Sequence, residues 1–133
     1  LIEENTLAGI GAAGSNNLYA SMGYFANIET GKAKAFGKRY ADEFGADAAA
    51  LNGLGQSTYD GLMLLAALAN AAGSMDVSKI NAVADGTSFS SPRGSATLSG
   101  NHVAQTVYLA DGQGGTFNVI ETFKDVPHGV ECK

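Results

Sequence analysis

The sequence predicts an α/β fold in which helices and a strand are followed by an antiparallel addition. Segments with helical periodicity fill most of the first two thirds of the 133 residues, and one strand-like run, Leu18 to Phe25, lies among them. Near the end, two strand-like runs flank the glycine-rich segment from Asp111 to Gly115, as the strands of a hairpin do. The resulting order, α-β-α-α-α-β and then a hairpin, is typical of an α/β domain with antiparallel strands added to it.

The first half of the chain is predicted to contain a helix end, a strand and an amphipathic helix. Leu1 to Ile10 has the apolar spacing of a helix, and the glycines between positions 9 and 14 break it. Leu18 to Phe25 is short and mostly apolar, as expected of a strand covered on both faces, and Tyr19 is expected in the core. The segment from Thr30 to Phe44 has apolar residues on one face, a good N-cap at its start and a glycine after its end.

The second half is predicted to contain two more helices and then strands. A helix is expected from about Gln56 to Ala72, and because it is apolar almost all round, it should be buried against more than one element. Asp76 is a suitable N-cap for a third helix that ends near Ala84. Ser90 to Gly94 has the composition of a turn. The strand-like segments that remain are Ala96–Leu98, Val103–Ala110 and Thr116–Phe123.

The number of predicted strands indicates an incomplete fold. Only one convincing core strand lies among the first three helices, whereas a self-sufficient α/β sheet needs several parallel strands. We therefore expect residues 1–133 to form a single fragment of a larger fold. The sequence starts at Leu1 rather than Met, so we expect the true start to have been removed or to lie upstream.

Charge and composition exclude several classes of function. The net charge is −5, and Lys38-Arg39 is the only adjacent basic pair, so no nucleic-acid partner is expected. The longest strongly apolar run, Leu62 to Ala69, is too short to span a bilayer. The single cysteine, Cys132, excludes an internal disulfide framework and a cysteine-cluster metal site. Whether Cys132 is a free thiol or pairs outside the chain stays open.

The sequence predicts no catalytic residue, no metal site and no cofactor site. Gly9 to Gly14 matches the G-x-G-x-x-G pattern, but a helix precedes it and a strand follows, which reverses the order a dinucleotide site needs. His102 and His128 lack metal-ligand spacing, and a structural hydrogen-bonding role is expected for His102. No G-x-S-x-G nucleophile motif occurs.

Tyr24 and Phe25 are the candidate ligand-binding residues. They lie at the end of the predicted strand from Leu18, and in open α/β sheets ligands bind outside such ends. Successive strand residues point to opposite faces, so one of the pair can face a cleft while the other packs in the core. An aromatic wall would offer a flat apolar surface to an amide or an aliphatic side chain. Core packing alone is the alternative interpretation.

A series of short motifs carries a resemblance to a known family. In chain order they are Tyr24-Phe25-x-x-Ile28-x-Thr30, Phe36-x-x-x-Tyr40-x-x-x-Phe44-Gly45, Tyr59-Asp60-Gly61, Ala71-Ala72-Gly73-Ser74-Met75-Asp76, Phe89-x-x-Pro92-x-Gly94, Asn101-His102 and Asp111-Gly112 with Phe117. In this order they resemble the type I periplasmic binding proteins for branched-chain amino acids, amides and urea. Gln56-Ser57-Thr58 departs from the small and acidic residues often found before the matching tyrosine.

The resemblance implies a particular architecture. Members have two α/β lobes joined by crossover strands, and the ligand is trapped between the lobes as they close. This chain would be the C-terminal portion, with three main helices, a strand and a terminal β-hairpin. By resemblance Phe25, and after it Tyr24, line the cleft. The family's main ligand-binding residues lie in segments outside this chain, so the fragment alone should bind ligand poorly, and its exposed sheet edges favour self-association.

The resemblance also implies a function without bond chemistry, and therefore not an enzyme. The expectation is a periplasmic or extracellular solute-binding component of an ABC importer, which delivers branched-chain amino acids or small amides and urea to a permease. A lipid anchor on the full-length protein is one option for its location. One alternative is a cytoplasmic amide-sensing regulator on the same fold. A nucleotide-dependent α/β enzyme is the third interpretation, and the reversed setting of Gly9 to Gly14 argues against it. The sequence does not identify the ligand.

Overall fold

A computed structural model describes residues 2–127 of the chain. The helices in this range are α1 (Glu4–Gly14), α2 (Gly31–Phe44), α3 (Gly53–Ala72) and α4 (Val77–Ala82). None of them is both long enough and apolar enough to cross a membrane. Leu1 and residues 128–133 lie outside the described residues, and so do the expectations for His128 and Cys132.

The strands of residues 2–127 form two antiparallel sheets. They are β1 (Leu18–Met22), β2 (Ser88–Ser91), β3 (Gly94–Ser99), β4 (His102–Val103), β5 (Gln105–Gln113) and β6 (Thr116–Val126). The first sheet has the order β1-β5-β6, and the second has the order β2-β3-β4. The mixed helix and strand content confirms the predicted α/β class.

The elements pack as two groups. In the sheet group, α1 packs on β6 of the sheet β1-β5-β6. In the helix group, α3 packs on α4 and on β2, while the Phe36 ring of α2 packs on the Tyr59 ring of α3 at 4.8 Å. Two connections join the groups. One is residues 23–30, between β1 and α2, and the other is Ala104, between β4 and β5.

The hydrophobic core lies mainly in the sheet group and along the first connection. Its buried members come from α1, β1, the connection 23–30, the start of α2, β5 and β6: Leu7, Ala20, Tyr24, Phe25, Ile28, Ala33, Tyr108, Ala110 and Phe117. The connection is therefore anchored in apolar packing rather than exposed as an ordinary loop.

The helix boundaries follow local capping chemistry. Thr30 caps α2, since its side-chain oxygen accepts the N–H of Ala33 at 3.2 Å, and the predicted helix from Thr30 to Phe44 is confirmed. Helix α3 begins three residues earlier than predicted because the Asn52 side chain, rather than Ser57 or Thr58, caps it. Asp76 caps α4 as predicted, but the helix ends at Ala82.

The predicted terminal hairpin is confirmed, with longer strands than expected. The loop was predicted to run from Asp111 to Gly115, whereas Asp111 pairs with Asn118 and the turn contains only Gly114 and Gly115. Both glycines have positive φ, 60° and 92°, which suits a two-residue turn between twisted strands. The strand β2 was not predicted at all.

Two burial expectations are wrong for this chain. Tyr19 is 61% exposed on β1, because only the opposite face of that short strand packs into the core. Helix α3 was expected to be buried on several sides, yet Leu54 and Leu62 are 62% and 64% exposed. Within residues 2–127, α3 packs on α4 and on β2, and much of its apolar surface stays uncovered.

Candidate functional site

The junction between the two groups is the candidate functional site, and its apolar side contains Tyr24 and Phe25. Strand β1 ends at Met22, which pairs with Tyr108, so both aromatics lie beyond the strand in the first connection. The expected alternation of the two side chains across a strand is therefore wrong. Tyr24 is 1% exposed and Phe25 is fully buried.

Phe25 belongs to the core of the sheet group. Its ring packs on that of Phe117 in β6, with 4.9 Å between ring centroids. Two residues further on, the side-chain amide of Asn27 donates to the backbone carbonyl of Phe117 at 3.0 Å. The connection is thus attached to β6 by one ring contact and one hydrogen bond. Whether Phe25 contacts a ligand stays a prediction.

Tyr24 faces the helix group. Its ring meets the ring of Phe36 in α2 edge to face, with centroids 6.3 Å apart. The Tyr24 hydroxyl is buried and has no hydrogen-bond partner among the described residues. Burial and then the charge of Glu4 raise the pKa of Tyr24 to about 12, so the hydroxyl is protonated at neutral pH. The hydroxyl can donate one hydrogen bond, and because Tyr24 is 1% exposed, an acceptor from outside reaches it only if the surrounding packing opens.

Glu4 of α1 supports the same connection. One of its carboxylate oxygens accepts the backbone N–H of Ala26 at 2.7 Å. The other oxygen is buried and has no hydrogen-bond partner within residues 2–127. Burial raises the pKa of Glu4 above its ordinary value, and the hydrogen bond from Ala26 acts against this shift.

The polar side of the junction is built around Arg93, in the turn between β2 and β3. Its Nε donates to Gln56 Oε1 at 2.6 Å, and its Nη2 donates to Ser57 Oγ at 3.0 Å, both in α3. Its Nη1 donates to Gln105 Oε1, at the start of β5, also at 2.6 Å. One guanidinium thus binds the helix group and the sheet group together.

A buried carboxylate balances the charge of Arg93. Asp60 Oδ2 lies 3.4 Å from Arg93 Nε and accepts the hydroxyl of Ser91 at 2.8 Å. Burial lowers the pKa of Arg93, and the carboxylate of Asp60 opposes this change. Gln56 is fully buried and Asp60 is 9% exposed, so this network is shielded from solvent on the α3 side.

Gly23 lets the first connection pass close to the guanidinium. A Cβ atom at this position would overlap Nη1 of Arg93 and lie 3.2 Å from Gln105 Oε1. Any side chain at position 23 would therefore displace the arginine.

A cavity of about 230 Å³ opens beside the network. Asp60, Ser91, Arg93 and Gln105 supply its polar lining, and Leu64, Phe89 and Val103 supply apolar surface. Neither Tyr24 nor Phe25 lines this cavity.

Sequence reasoning missed Arg93, Asp60 and Gln105. Arg93 lay in a segment that was interpreted only as a turn, and its partners are 12 to 37 residues away along the chain. The one local signal was the departure of Gln56-Ser57-Thr58 from the family pattern, because two of these three residues bind Arg93.

Two observations concern the metal and nucleotide sites that the sequence analysis considered. Within residues 2–127, no group of three or more His, Cys, Asp and Glu side chains could hold a metal ion. The G-x-G-x-x-G pattern lies in α1, whose backbone departs from helical geometry at Gly11 with φ 76°. The groups that the junction offers for binding a small molecule are polar side chains, which form hydrogen bonds, and aromatic rings, which pack on apolar surface.

Comparison with known proteins identifies related sequences and folds. The sequence profile of a family described as periplasmic binding protein matches residues 1–116. Among curated proteins, none matches the sequence significantly.

Several solved structures share the fold. A solute-binding protein of an ABC transporter from R. palustris, in complex with 4-hydroxybenzoate, is 28% identical with a TM-score of 0.78, and the match covers 95% of this chain and 36% of that one. A second, from Rhodopseudomonas palustris HaA2 with p-hydroxybenzoic acid, is 26% identical with a TM-score of 0.79 and the same coverage. An amino acid ABC transporter substrate-binding protein from Pseudomonas fluorescens Pf-5, 16% identical with a TM-score of 0.74, shares the fold over 93% of this chain and 35% of that one. The chain thus spans about a third of the length of these structures.

Proposed function

The chain belongs to the periplasmic binding protein family, and from this premise we propose that it is the C-terminal portion of the solute-binding component of an ABC importer. The match to the family over residues 1–116 is the observation that carries the proposal. In the proposed protein, residues 1–133 are one part of a two-lobed receptor. The sheet group and the helix group belong to different lobes, and the connections 23–30 and Ala104 are two of the crossings between them.

The proposed action is reversible capture of a small molecule without bond chemistry. A ligand shifts a receptor from open to closed only through contacts that are stronger in the closed state. A protein with two groups joined by short connections can make such contacts by hinge rotation about the connections. Burial of the ligand's polar groups then selects for ligands that complete the hydrogen bonds of the site, because an unpaired buried group costs free energy.

We propose a small carboxylate or amide as the ligand. The sequence motifs favour branched-chain amino acids, small amides or urea. The two structures at 26% and 28% identity are complexes with hydroxybenzoates, which supports adding aromatic carboxylates to this class. A protonated tyrosine hydroxyl, such as that of Tyr24, can donate to a carboxylate oxygen and to an amide carbonyl alike.

Tyr24 and Phe25 stay the proposed ligand contacts, with Tyr24 first. The buried and unpartnered hydroxyl of Tyr24 supports a direct contact. Phe25 has no exposed surface in this chain and packs on Phe117, so its proposed ligand contact requires the first connection to move when the ligand binds.

The proposal includes a location and a partner. We propose that the complete protein acts in the periplasm or outside the cell, where a lipid anchor is one way to retain it. Its protein partner would be the permease of an ABC transporter.

The proposal is tested by ligand screening of the full-length protein. Thermal unfolding would be followed with 4-hydroxybenzoate, benzoate, leucine, urea and acetamide, because a ligand that binds only the folded state raises the midpoint. We expect at least one of these compounds to raise the midpoint in a saturable way. Saturable binding of NAD, with none of the five compounds binding, would favour the nucleotide-dependent enzyme instead.

A further inference from the structure

We propose that Arg93 is a positioning residue that fixes the sheet group and the helix group relative to one another at their junction. The inference deepens the proposed function, since the relative position of the two groups would set how readily the receptor closes. Its structural part concerns only residues 2–127 and does not depend on the identity of the ligand.

The direction of the Arg93 bonds carries the inference. Three partners, Gln56, Ser57 and Asp60, lie in α3, so the guanidinium is held rigidly by its own group. The bond from Nη1 to Gln105 Oε1 at 2.6 Å crosses to the sheet group. Gln105 immediately follows Ala104, the second connection, and pairs with Val126 of β6.

The first connection meets the same guanidinium. Gly23 lies against Nη1 so closely that a Cβ atom would overlap it. The first connection therefore packs against one planar cation, and the first residue after the second connection, Gln105, accepts a hydrogen bond from the same cation. A rotation of one group against the other has to break the bond to Gln105 or move the guanidinium away from its partners in α3.

The chemistry of arginine suits this role. Its donors lie in a rigid plane, so it can bond Gln56, Ser57 and Gln105 at once, whereas lysine presents a single flexible ammonium. Burial of Asp60 beside it fixes the guanidinium further, because a buried carboxylate without its partner is costly. The network therefore holds the guanidinium on α3, and its hydrogen bond to Gln105 connects it to the sheet group.

The test compares two bonds of Arg93 to exposed partners, one that crosses the junction to Gln105 and one that stays within the helix group at Ser57. In the full-length protein, cysteines that carry spin labels would replace Tyr19 in the sheet group, which is 61% exposed, and Lys38 in the helix group, whose side chain is 74% exposed. Cys132 is the single cysteine of residues 1–133, so a Cys132→Ser background leaves only the two introduced cysteines of this chain to be labelled. Electron–electron resonance then measures the distribution of distances between the labels without added ligand.

We expect Gln105→Ala to broaden or shift this distribution, because the crossing bond is lost. Gln105 is exposed, so the fold should survive. Ser57→Ala, which removes a bond within the helix group, is the matched control and should leave the distribution unchanged. Arg93→Lys keeps a positive charge near Asp60 and should behave like Gln105→Ala. Unchanged distributions in Gln105→Ala and Arg93→Lys would overturn the inference, as would equal broadening in Ser57→Ala.

Titration with 4-hydroxybenzoate separates the inference from the proposed function. If the wild-type protein binds it, Gln105→Ala should raise Kd about 5-fold, because binding must then also order the junction. If the wild-type protein binds none of the five compounds while the label distances respond as expected, the proposed ligand class fails and the role of Arg93 stands. If Kd is unchanged although the distances shift, Arg93 positions the groups without affecting capture, and the link to ligand binding is overturned.

Discussion

The hydroxyl of Tyr24 is an unusual group because it is buried without a partner in the described residues. Removing such a hydroxyl relieves a desolvation cost, so Tyr24→Phe should leave the stability of the full-length protein unchanged or raise it by about 1 kcal/mol. If the hydroxyl donates to the ligand, the same variant should weaken binding about 5-fold to 10-fold. Thermal unfolding and calorimetric titration with 4-hydroxybenzoate measure the two effects.

The exposed Tyr19 provides the control for this prediction. Tyr19→Phe removes a hydroxyl that water already solvates, so both stability and affinity should stay at the wild-type values. A loss of stability in Tyr24→Phe without a loss of affinity would mean that the hydroxyl serves the fold and not the ligand.

Glu4 makes the junction sensitive to pH. Burial raises its pKa above 4.5, so above that pH the folded state binds more protons than the unfolded state. The free energy of unfolding therefore falls as pH rises from 4.5 through the raised pKa, and the loss persists at higher pH. Glu4→Gln keeps an acceptor for the Ala26 N–H and removes the charge. We expect its urea midpoint to fall less than that of the wild type between pH 4 and pH 8.

A second variant separates the effect of burying Glu4 from a general effect of removing a negative charge. Glu29 is exposed, so Glu29→Gln removes one negative charge without altering a buried group and is the control for the change in net charge. Parallel profiles for Glu4→Gln and the wild type would contradict the assigned role of Glu4.

Residues that act locally could be predicted, whereas residues that act across the fold could not. Thr30 and Asp76 were predicted as helix caps because capping depends on neighbours within three residues. Tyr24 was predicted to lie at the end of a strand, whereas β1 ends at Met22, and that end is set by pairing with β5, whose Tyr108 is far along the sequence. The sequence pattern contains no signal for such a contact.

At the level of elements, Gly112 of β5 lies so close to the backbone of Ser15 that no side chain fits at this position. A Cβ atom at Gly112 would overlap the backbone carbonyl of Ser15, which cannot rotate away as a side chain can. Gly112→Ala should therefore lower the free energy of unfolding by about 1–3 kcal/mol. Gly37 in α2 is the matched position, since nothing lies within 4 Å of its Cβ, and Gly37→Ala should raise stability by up to about 1 kcal/mol. Urea unfolding of the two variants measures the contrast, and equal effects would contradict it.

Some helices and strands could be predicted from the sequence with their boundaries, and others could not. Helix α2 was predicted with its boundaries because its N-cap, its periodicity and Gly45 agree. Strand β2 was missed because Ser88-Phe89-Ser90-Ser91 has weak strand propensity and forms by pairing with β3. The hairpin loop was predicted too long, since Asp111 and Gly112 are turn-favouring residues that pairing with β6 holds in a strand.

At the scale of the whole molecule, the uncovered apolar surface of the helix group is the main feature. Large apolar side chains of α2, α3 and the α3–α4 region are more than half exposed, namely Phe44, Leu54, Leu62, Met75 and Val77. Phe44 and Leu62 line the same groove, and apolar surface of this kind often marks an interface. Because the chain spans about a third of the length of its structural relatives, we expect the remaining parts of the proposed receptor to cover this surface.

The same surface predicts how the isolated chain behaves. Expressed alone, residues 1–133 should self-associate at micromolar concentration, which size-exclusion chromatography with light scattering measures. Leu62→Glu places a charge on the uncovered face of α3 and should shift the population toward monomer. Tyr19→Glu, on the exposed face of β1, is the control and should not. A monodisperse monomer of the unaltered chain would contradict this prediction.

Calorimetric titration of the full-length protein and of residues 1–133 alone, with 4-hydroxybenzoate, benzoate, leucine, urea and acetamide, tests most directly whether this chain is part of a two-lobed receptor. We predict saturable binding of at least one compound by the full-length protein, recovery of that compound chemically unchanged, and no saturable binding by residues 1–133 over the same concentrations. Equal affinity of the isolated chain, chemical conversion of the compound, or failure of the full-length protein to bind any of the five would contradict it.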